Sequence, residues 1–284
     1  MAHPQVAAFA RLANGQVQAT RKIAGQNTLF TRTIHDMAYD AVRDEIIVPS
    51  LYAGAVLIFR GDANGDVAPA RKIWGPKTQL GRTSEVAVDG VHGEIFVIQV
   101  EPRRRILVFP AAADGDVAPL RILKGPDTGL RPGRMTVDPV HNLLIVSGGG
   151  GIRIYDRTAS GNTKPLRFIR TTRSPTLMTN NPASGMIFAS SGGMGEAGDG
   201  GGGDDERGRG GSPKDLSGRF GLEDYVGVWS IYDDGDAPPR FTIGGPNLLL
   251  GDVRGVAVDP KHQNVIVSDK TLNGVMTFHV PEVF

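Results

Sequence analysis

The stretch Ile58-Phe59-Arg60-Gly61-Asp62-Ala63-Asn64-Gly65-Asp66-Val67-Ala68-Pro69-Ala70-Arg71-Lys72-Ile73 decides the fold, because the chain repeats it as Val108-Phe109-Pro110-Ala111-Ala112-Ala113-Asp114-Gly115-Asp116-Val117-Ala118-Pro119-Leu120-Arg121-Ile122. Looser copies start at Phe9, Ile154 and Ile231. In each, an apolar run enters a tight turn and leaves as a short segment headed by arginine. The turn carries Asn14-Gly15, Asn64-Gly65, Asp114-Gly115, Ser160-Gly161 or Asp234-Gly235. Such dipeptides supply the positive φ that a tight hairpin requires. Self-similarity at this period means blades or solenoid units.

Working outward, each unit resolves into four short strands. The hairpin joins the third to the fourth. The first reads Met37–Asp40, Val86–Asp89, Met135–Asp138, Leu177–Asn180 and Val256–Asp259, small and apolar and ended by Asp or Asn as a strand leaving into a turn. The second follows within a few residues, as in Ile46-Ile47-Val48 and Ile95-Phe96-Val97. No segment shows a sustained helical period with caps. The expectation is an all-β chain, a β-propeller of four-stranded blades with first strands lining a central channel. A single domain over 1–284 is expected.

First strands begin 49, 49, 42 and 79 residues apart. The last interval therefore holds an insertion, visible as the glycine-rich stretch 192–224 between a second and a third strand. Its composition buries little apolar surface, so the expectation there is a flexible segment. Five first, second and fourth strands are present against six candidate third strands, because Val6-Ala7-Ala8-Phe9 also reads as one. The favoured reading is five blades, with Arg21–Ile23 completing the blade begun by Val256. The alternative is six blades with one incomplete.

Composition sets the bounds. At 284 residues without cysteine, the chain excludes disulfides and thiolate-bound zinc. A chain this long buries roughly 75% of its unfolded surface, so it has a core without staples. Lysine and arginine (31) balance aspartate and glutamate (30), which argues against nucleic acid or a membrane surface as partner. No apolar run approaches the roughly 20 residues of a membrane span. The N-terminus has no signal-peptide pattern. The expectation is a soluble chain whose compartment is not readable.

The recurring phrase I-x-V-[FY]-x-R-x-A-x-G-[DN]-x-x-P-x-R-x-I-x-G-x-x-T-x-L, best seen in Val56–Val88, Ile106–Val137 and Ile152–Ile169, resembles the NHL and YVTN-type propeller repeats of bacteria. The resemblance implies the propeller fold and leaves function open, since that fold hosts lyases, lactonases, scaffolds and binding modules. The glycine usual before the first strand survives as Gly255 but is Asp36, Glu85, Arg134 and Thr176 elsewhere. The asparagine usual after the second strand gives way to residues such as Ser147 and Asp269.

In propellers the loops from fourth to first and from second to third strands open on one face. There the candidate ligand-binding residues are Arg32, His35, Asp36, Arg82, Glu85, Arg134, Arg173, Thr176 and Arg254. Arginine forks match carboxylate and phosphate, so a ring of them suits an anionic ligand. The competing reading has the arginines capping strand ends and pairing with neighbouring carboxylates. His92, His141 and His262 recur in equivalent first–second turns and read as structural. Asp62–Asp66 imitates the start of an EF-hand loop but reads as the hairpin turn. Asp199–Glu206 reads as a solvated loop, and Trp74 and Trp229 as blade packing.

The leading expectation is a non-catalytic binding module that takes a protein segment or a small anionic ligand at the channel mouth, with the insertion gating it. No catalytic set and no cofactor are assigned. Asp36 and Glu85 are the weak candidates for a divalent cation in a metal-dependent lactonase or hydrolase, the first alternative. The second is a structural or oligomerising repeat protein, such as a homodimer through unpaired terminal strands.

Overall fold

The computed structural model describes residues 4–32, 34–131, 133–172, 175–191, 225–245, 248 and 250–284. The 192–224 insertion, with Asp199–Glu206 in it, and Arg173 lie outside them. The chain divides into two compact units, Met1–Leu130 with Ala159–Lys164, and Arg131–Thr158 with Pro165–Phe284.

The first unit opens with a pair of strands, β1 (Val6–Ala8) and β2 (Arg21–Ile23). Two four-stranded antiparallel sheets follow. One runs β3 (Ala38–Asp40), β4 (Glu45–Ser50), β5 (Ala55–Arg60) and β6 (Arg71–Ile73); the other runs β7 (Arg82–Asp89), β8 (Glu94–Glu101), β9 (Arg105–Pro110) and β10 (Arg121–Leu123). In the second unit the same order recurs in β11 (Met135–Asp138), β12 (Leu143–Ser147), β13 (Gly151–Asp156) and β14 (Arg167–Arg170). It recurs again in β15 (Met178–Asn181), β16 (Met186–Ser191), β17 (Tyr225–Ser230) and β18 (Phe241–Gly244). The last sheet has three strands, β19 (Val253–Asp259), β20 (Asn264–Asp269) and β21 (Gly274–His279).

Second and third strands are the core. Ile47, Val56, Ile58, Ile95, Val97, Leu107 and Phe109 form one buried cluster, and Ile145, Ile152, Ile154, Ile187 and Trp229 another. Their near-continuous β-branched runs suit strands covered on both faces.

The hairpin turns do more than reverse the chain. Gly65 bridges Ile23, Gly115 bridges Ile73, and Gly235 bridges Ile169, each the buried residue at or next to the end of the preceding fourth strand. Asn64 Oδ1 accepts the Lys22 N–H at 3.0 Å, and Asp114 Oδ1 accepts that of Lys72 at 3.1 Å. Residues 159–164 join the first unit by the same device: Gly161 bridges Leu123, and Asn162 Oδ1 accepts the Asp127 N–H at 2.8 Å. The repeated Asp/Asn-Gly-Asp/Asn phrase is thus a clasp between neighbouring repeats. Its oxygens sit on backbone N–H groups, as the hairpin reading of Asp62–Asp66 requires.

After each of the first three fourth strands comes a 3-10 turn, and the turn explains the Gly-x-x-Thr of the repeat. Thr28, Thr78 and Thr128 are buried, and each hydroxyl donates to the carbonyl of Gly25, Gly75 or Gly125 at 2.6 Å.

Two expectations are corrected. Arg21–Ile23 does not complete the sheet begun by Val256: it pairs with Val6–Ala8, Val6 opposite Ile23. The reason is burial, since Ile23 packs with Val6, Val48, Leu57 and Phe59. Trp74 is 54% exposed, with Lys72 Nζ 5.2 Å above its ring, so it does not pack a blade. Trp229 does, at 2% exposure, with its indole N–H on the Ala237 carbonyl at 3.1 Å.

Candidate functional site

In the first unit, one end of the β7–β10 sheet collects polar chemistry. β7 begins four residues before the apolar run that announces it, and its pairing with β8 shifts register between Arg82 and Thr83 and again between Thr83 and Glu85. Such irregularities re-aim side chains. Here Thr83 and Glu85 are both buried, and the Thr83 hydroxyl donates to the Ser50 carbonyl at 3.3 Å.

Gln99, fully buried at the end of β8, organises the neighbouring loop. Its Oε1 accepts the Gly81 N–H at 2.7 Å and Arg105 Nη2 at 3.3 Å, while its Nε2 donates to the Arg103 carbonyl at 3.4 Å. Arg105 also donates to the Gln79 carbonyl at 2.7 Å. Burial first, and Arg103 second, lower the Arg105 pKa from its ordinary value, which marks two guanidiniums close enough to repel. Arg103 and Arg104 are exposed. Arg82 pairs with Glu101 at 2.9 Å and lies 5.5 Å over the Tyr52 ring. Four arginines and Glu101 therefore stand at one sheet end, because Arg82 is opposite Glu101 and Arg105 opposite Gln99.

Of the predicted residues in this unit, Asp36 comes next to this end: its Oδ2 accepts the Val86 N–H at 3.0 Å, beside Glu85. Arg32 and His35 are exposed on the entry to β3. Arg103, Arg104, Arg105 and Gln99 are the residues that sequence reasoning missed. The run Arg103-Arg104-Arg105 in a second–third loop was the signal that could have found three of them.

In the second unit the predicted residues are tied into their own sheets. The Arg134 N–H donates to Ser147 Oγ at 3.0 Å, and the Thr176 hydroxyl meets that of Ser190 at 3.0 Å. Arg254 pairs with Asp252 at 3.1 Å. Ser147, Ser190 and Asp269 hold the start of the first strands of this unit. Asp269 accepts the N–H groups of Gly251, Asp252 and Leu272 at 2.8, 2.9 and 2.9 Å. A groove of about 530 Å³ lined by Gly150, Arg170, Thr171, Tyr225, Pro238 and Pro239 lies alongside, with the Arg170–Asp236 pair at 2.7 Å.

The histidines are structural. Nδ1 of His92, His141 and His262 sits 2.7, 2.9 and 2.7 Å from Asp89, Asp138 and Asp259. In the first sheet Arg43 takes the same place on Asp40 at 3.0 Å. Among the described residues no three His, Asp or Glu side chains gather closely enough to hold a metal ion, and no helix is long and apolar enough to cross a membrane.

Strand order and comparison together define the class: the fold is a β-propeller built on five repeats of the blade. The chain is similar to Kuenenia stuttgartiensis hydrazine synthase, with a TM-score of 0.55 and 13% identity over 84% of this chain, and spans 56% of that chain. It is similar also to the β-propeller domain of Cps50 (Swd1) from Myceliophteria thermophila, with a TM-score of 0.55 and 10% identity over 88% of this chain and 67% of that one. At these identities the likeness is one of fold. No protein-family model matches the chain, and no curated protein matches it in sequence.

Proposed function

We propose that this is a non-catalytic propeller module, of the NHL- and YVTN-like kind, that binds an anionic group at the Arg82–Arg105 end of the β7–β10 sheet. One observation carries the reading: Arg103 and Arg104 are exposed beside Arg105 and Arg82, in a loop whose course is set by the buried amide of Gln99. A loop whose backbone is already held loses less freedom on binding than a mobile one. Guanidinium forks suit carboxylate and phosphate oxygens, and an anion between Arg103 and Arg105 relieves their mutual repulsion.

The bound group is the carboxylate or phosphate of a protein segment or small molecule. His35 and Arg32, exposed on the entry to β3, are the proposed outer contacts. Asp36 serves the fold rather than the ligand, because one of its oxygens receives the Val86 N–H. Among the described residues, the Arg134, Thr176 and Arg254 contacts act as strand-end ties in their own sheets.

The test is titration calorimetry of the whole chain with inorganic phosphate, citrate and an acidic peptide, repeated on R103E/R104E. Saturable binding that the double variant loses, with its melting temperature unchanged, supports the assignment. Absence of saturable binding to all three, or equal binding to the variant, overturns it.

A further inference from the structure

The connection from β14 to β15 is short. From the buried residue of a fourth strand to the end of the next first strand the chain takes 17, 16 and 15 residues in 23–40, 73–89 and 123–138, but 12 in 169–181. What it lacks is the 3-10 turn. Gln26–Thr28, Pro76–Thr78 and Pro126–Thr128 follow the first three fourth strands, and among the described residues no such turn lies between β14 and β15.

In the first unit that turn covers the third strand of the next sheet. Phe30, two residues past Thr28, lies 5.2 Å from the Phe59 ring, and Leu80, two past Thr78, packs with Phe109 and Val117. Asp66 and Asp116 accept backbone N–H groups of the turn. The sheet of β15 to β18 keeps the receiving half of this arrangement. Trp229 holds the register position of Phe59 and Phe109, and Asp236, next to Gly235, that of Asp66 and Asp116. Residue 227 is glycine where those sheets have Leu57 and Leu107, and the Trp229 indole lies back against it, leaving no room there for a Cβ. The larger ring therefore does not stand in for the turn. In its place is the groove of about 530 Å³, with Tyr225, Trp229, Pro238 and Pro239 as apolar walls and Thr171 and Thr172 along one side. Asp236 lines it too, in an exposed pair with Arg170.

We propose that this groove is a docking site for a reverse turn of a partner polypeptide, of the Gly-Pro-x-Thr-x-Leu kind that the chain itself packs at the equivalent places. Its size falls within the roughly 300–1,000 Å³ of ligand clefts. Asp236 takes a backbone N–H of the turn, as Asp66 and Asp116 do. The aliphatic or aromatic residue two past the threonine seats on Tyr225 and Trp229, as Phe30 does on Phe59. An exposed ion pair such as Arg170–Asp236 holds its acceptor weakly, so it yields to the incoming N–H. A proline-bearing turn is already ordered and loses little freedom on docking.

The probe is the capped peptide of residues 75–80, Gly-Pro-Lys-Thr-Gln-Leu, added to the whole chain carrying W74F, in which Trp229 is the remaining tryptophan. Without an acidic group, it does not report on the arginine group of the first unit. The expected result is a saturable, one-to-one change in Trp229 emission. Thr172→Phe places a ring in the groove from an exposed position, and Asp236→Ala removes the acceptor. Each weakens binding by at least about fivefold, and Leu80→Asp in the peptide by about tenfold, since it puts a charge on the apolar wall. Both protein sites are exposed, so the melting temperature of either variant stays near that of wild type. No saturable change, or equal affinity in Thr172→Phe, overturns the proposal. Indole binding that perturbs Trp229 while the peptide does not would make the groove a small-molecule site and overturn it. Self-association of wild type that Thr172→Phe abolishes would make a second copy the occupant and overturn the assignment to a foreign turn.

Discussion

Asp66 accepts the backbone N–H of Asn27 at 2.8 Å and its side-chain amide at 3.2 Å, tying the hairpin of one repeat to the turn that follows the outer strand of the repeat before. The tie recurs between Asp116 and Lys77 at 2.7 Å, and between Asn162 and Asp127. Radially repeated sheets have no covalent link between neighbours except one connecting segment, so such ties fix the spacing of repeats.

The glycine under each tie is the point of failure. Gly75 has φ +134, and a Cβ there would stand 2.5 Å from Asp116 Cγ. Gly75→Ala meets both backbone strain and a clash, and the expected loss is about 2 kcal/mol or more. Gly115→Ala, with φ +72 and open space around the added methyl, meets the first penalty alone and loses less. Urea unfolding of the two variants checks the order.

Asp138, fully buried, accepts the N–H groups of Val140 and His141 at 3.0 and 2.9 Å and meets the His141 ring at 2.9 Å. Asp138→Ala takes the shared acceptor from those turn N–H groups and is expected to cost about 1 kcal/mol. His141→Asn removes the ring alone and costs less. If the histidine were a metal ligand instead, zinc would raise the melting temperature of wild type and not of His141→Asn; the expected result is no difference between them.

Acid lability follows from two carboxylates. Burial opposes ionisation of Asp269, yet the N–H groups of Leu272, Asp252 and Gly251 outweigh it and hold its pKa below the usual value. Asp233 behaves alike: burial raises, but Arg240 and the Ser230 N–H lower it further. A folded pKa below the unfolded one means the contribution is full above the unfolded value of about 4 and is lost as pH falls through the folded value. Melting temperature should thus fall on acidification below about pH 4. Asp269→Asn, less stable at pH 7, should show a shallower fall over that range. An unchanged slope would remove Asp269 from the account.

The hairpins and the strand types were legible because positive φ has a residue signature: Gly15, Gly65, Gly115, Gly161 and Gly235 all take it. Which like strand pairs with which was not. Val6–Ala8 and Gly274–His279 are both third strands, and only the burial of Ile23 among Val48, Leu57 and Phe59 decides for the former. The arginines named at strand entries were legible as types; the Arg134 backbone N–H meets Ser147 and the Arg254 guanidinium pairs with Asp252, contacts that no spacing announces. Gln99 was illegible: a buried amide inside an apolar run has no spacing signature, and its role appears only when the β7 irregularity brings Gly81 and Arg105 to it.

The arginine group divides by exposure. Arg82 is part-buried, pairs with Glu101 and lies over Tyr52, while Arg103 and Arg104 are exposed. Arg82→Gln should therefore cost about 1 kcal/mol of stability, as a partly exposed pair does, and leave Glu101 to oppose an incoming anion. Its affinity for phosphate or an acidic peptide then falls with no more than that loss of stability, whereas E101Q raises affinity by removing the competing carboxylate. Both effects are Coulombic, and the screening length shrinks from about 10 Å at 0.1 M salt to about 3 Å at 1 M. Titrations at those two ionic strengths should show wild type and E101Q converging at high salt. Persistence of the full difference would assign the contact to shape or hydrogen bonding rather than to the charge at this sheet end.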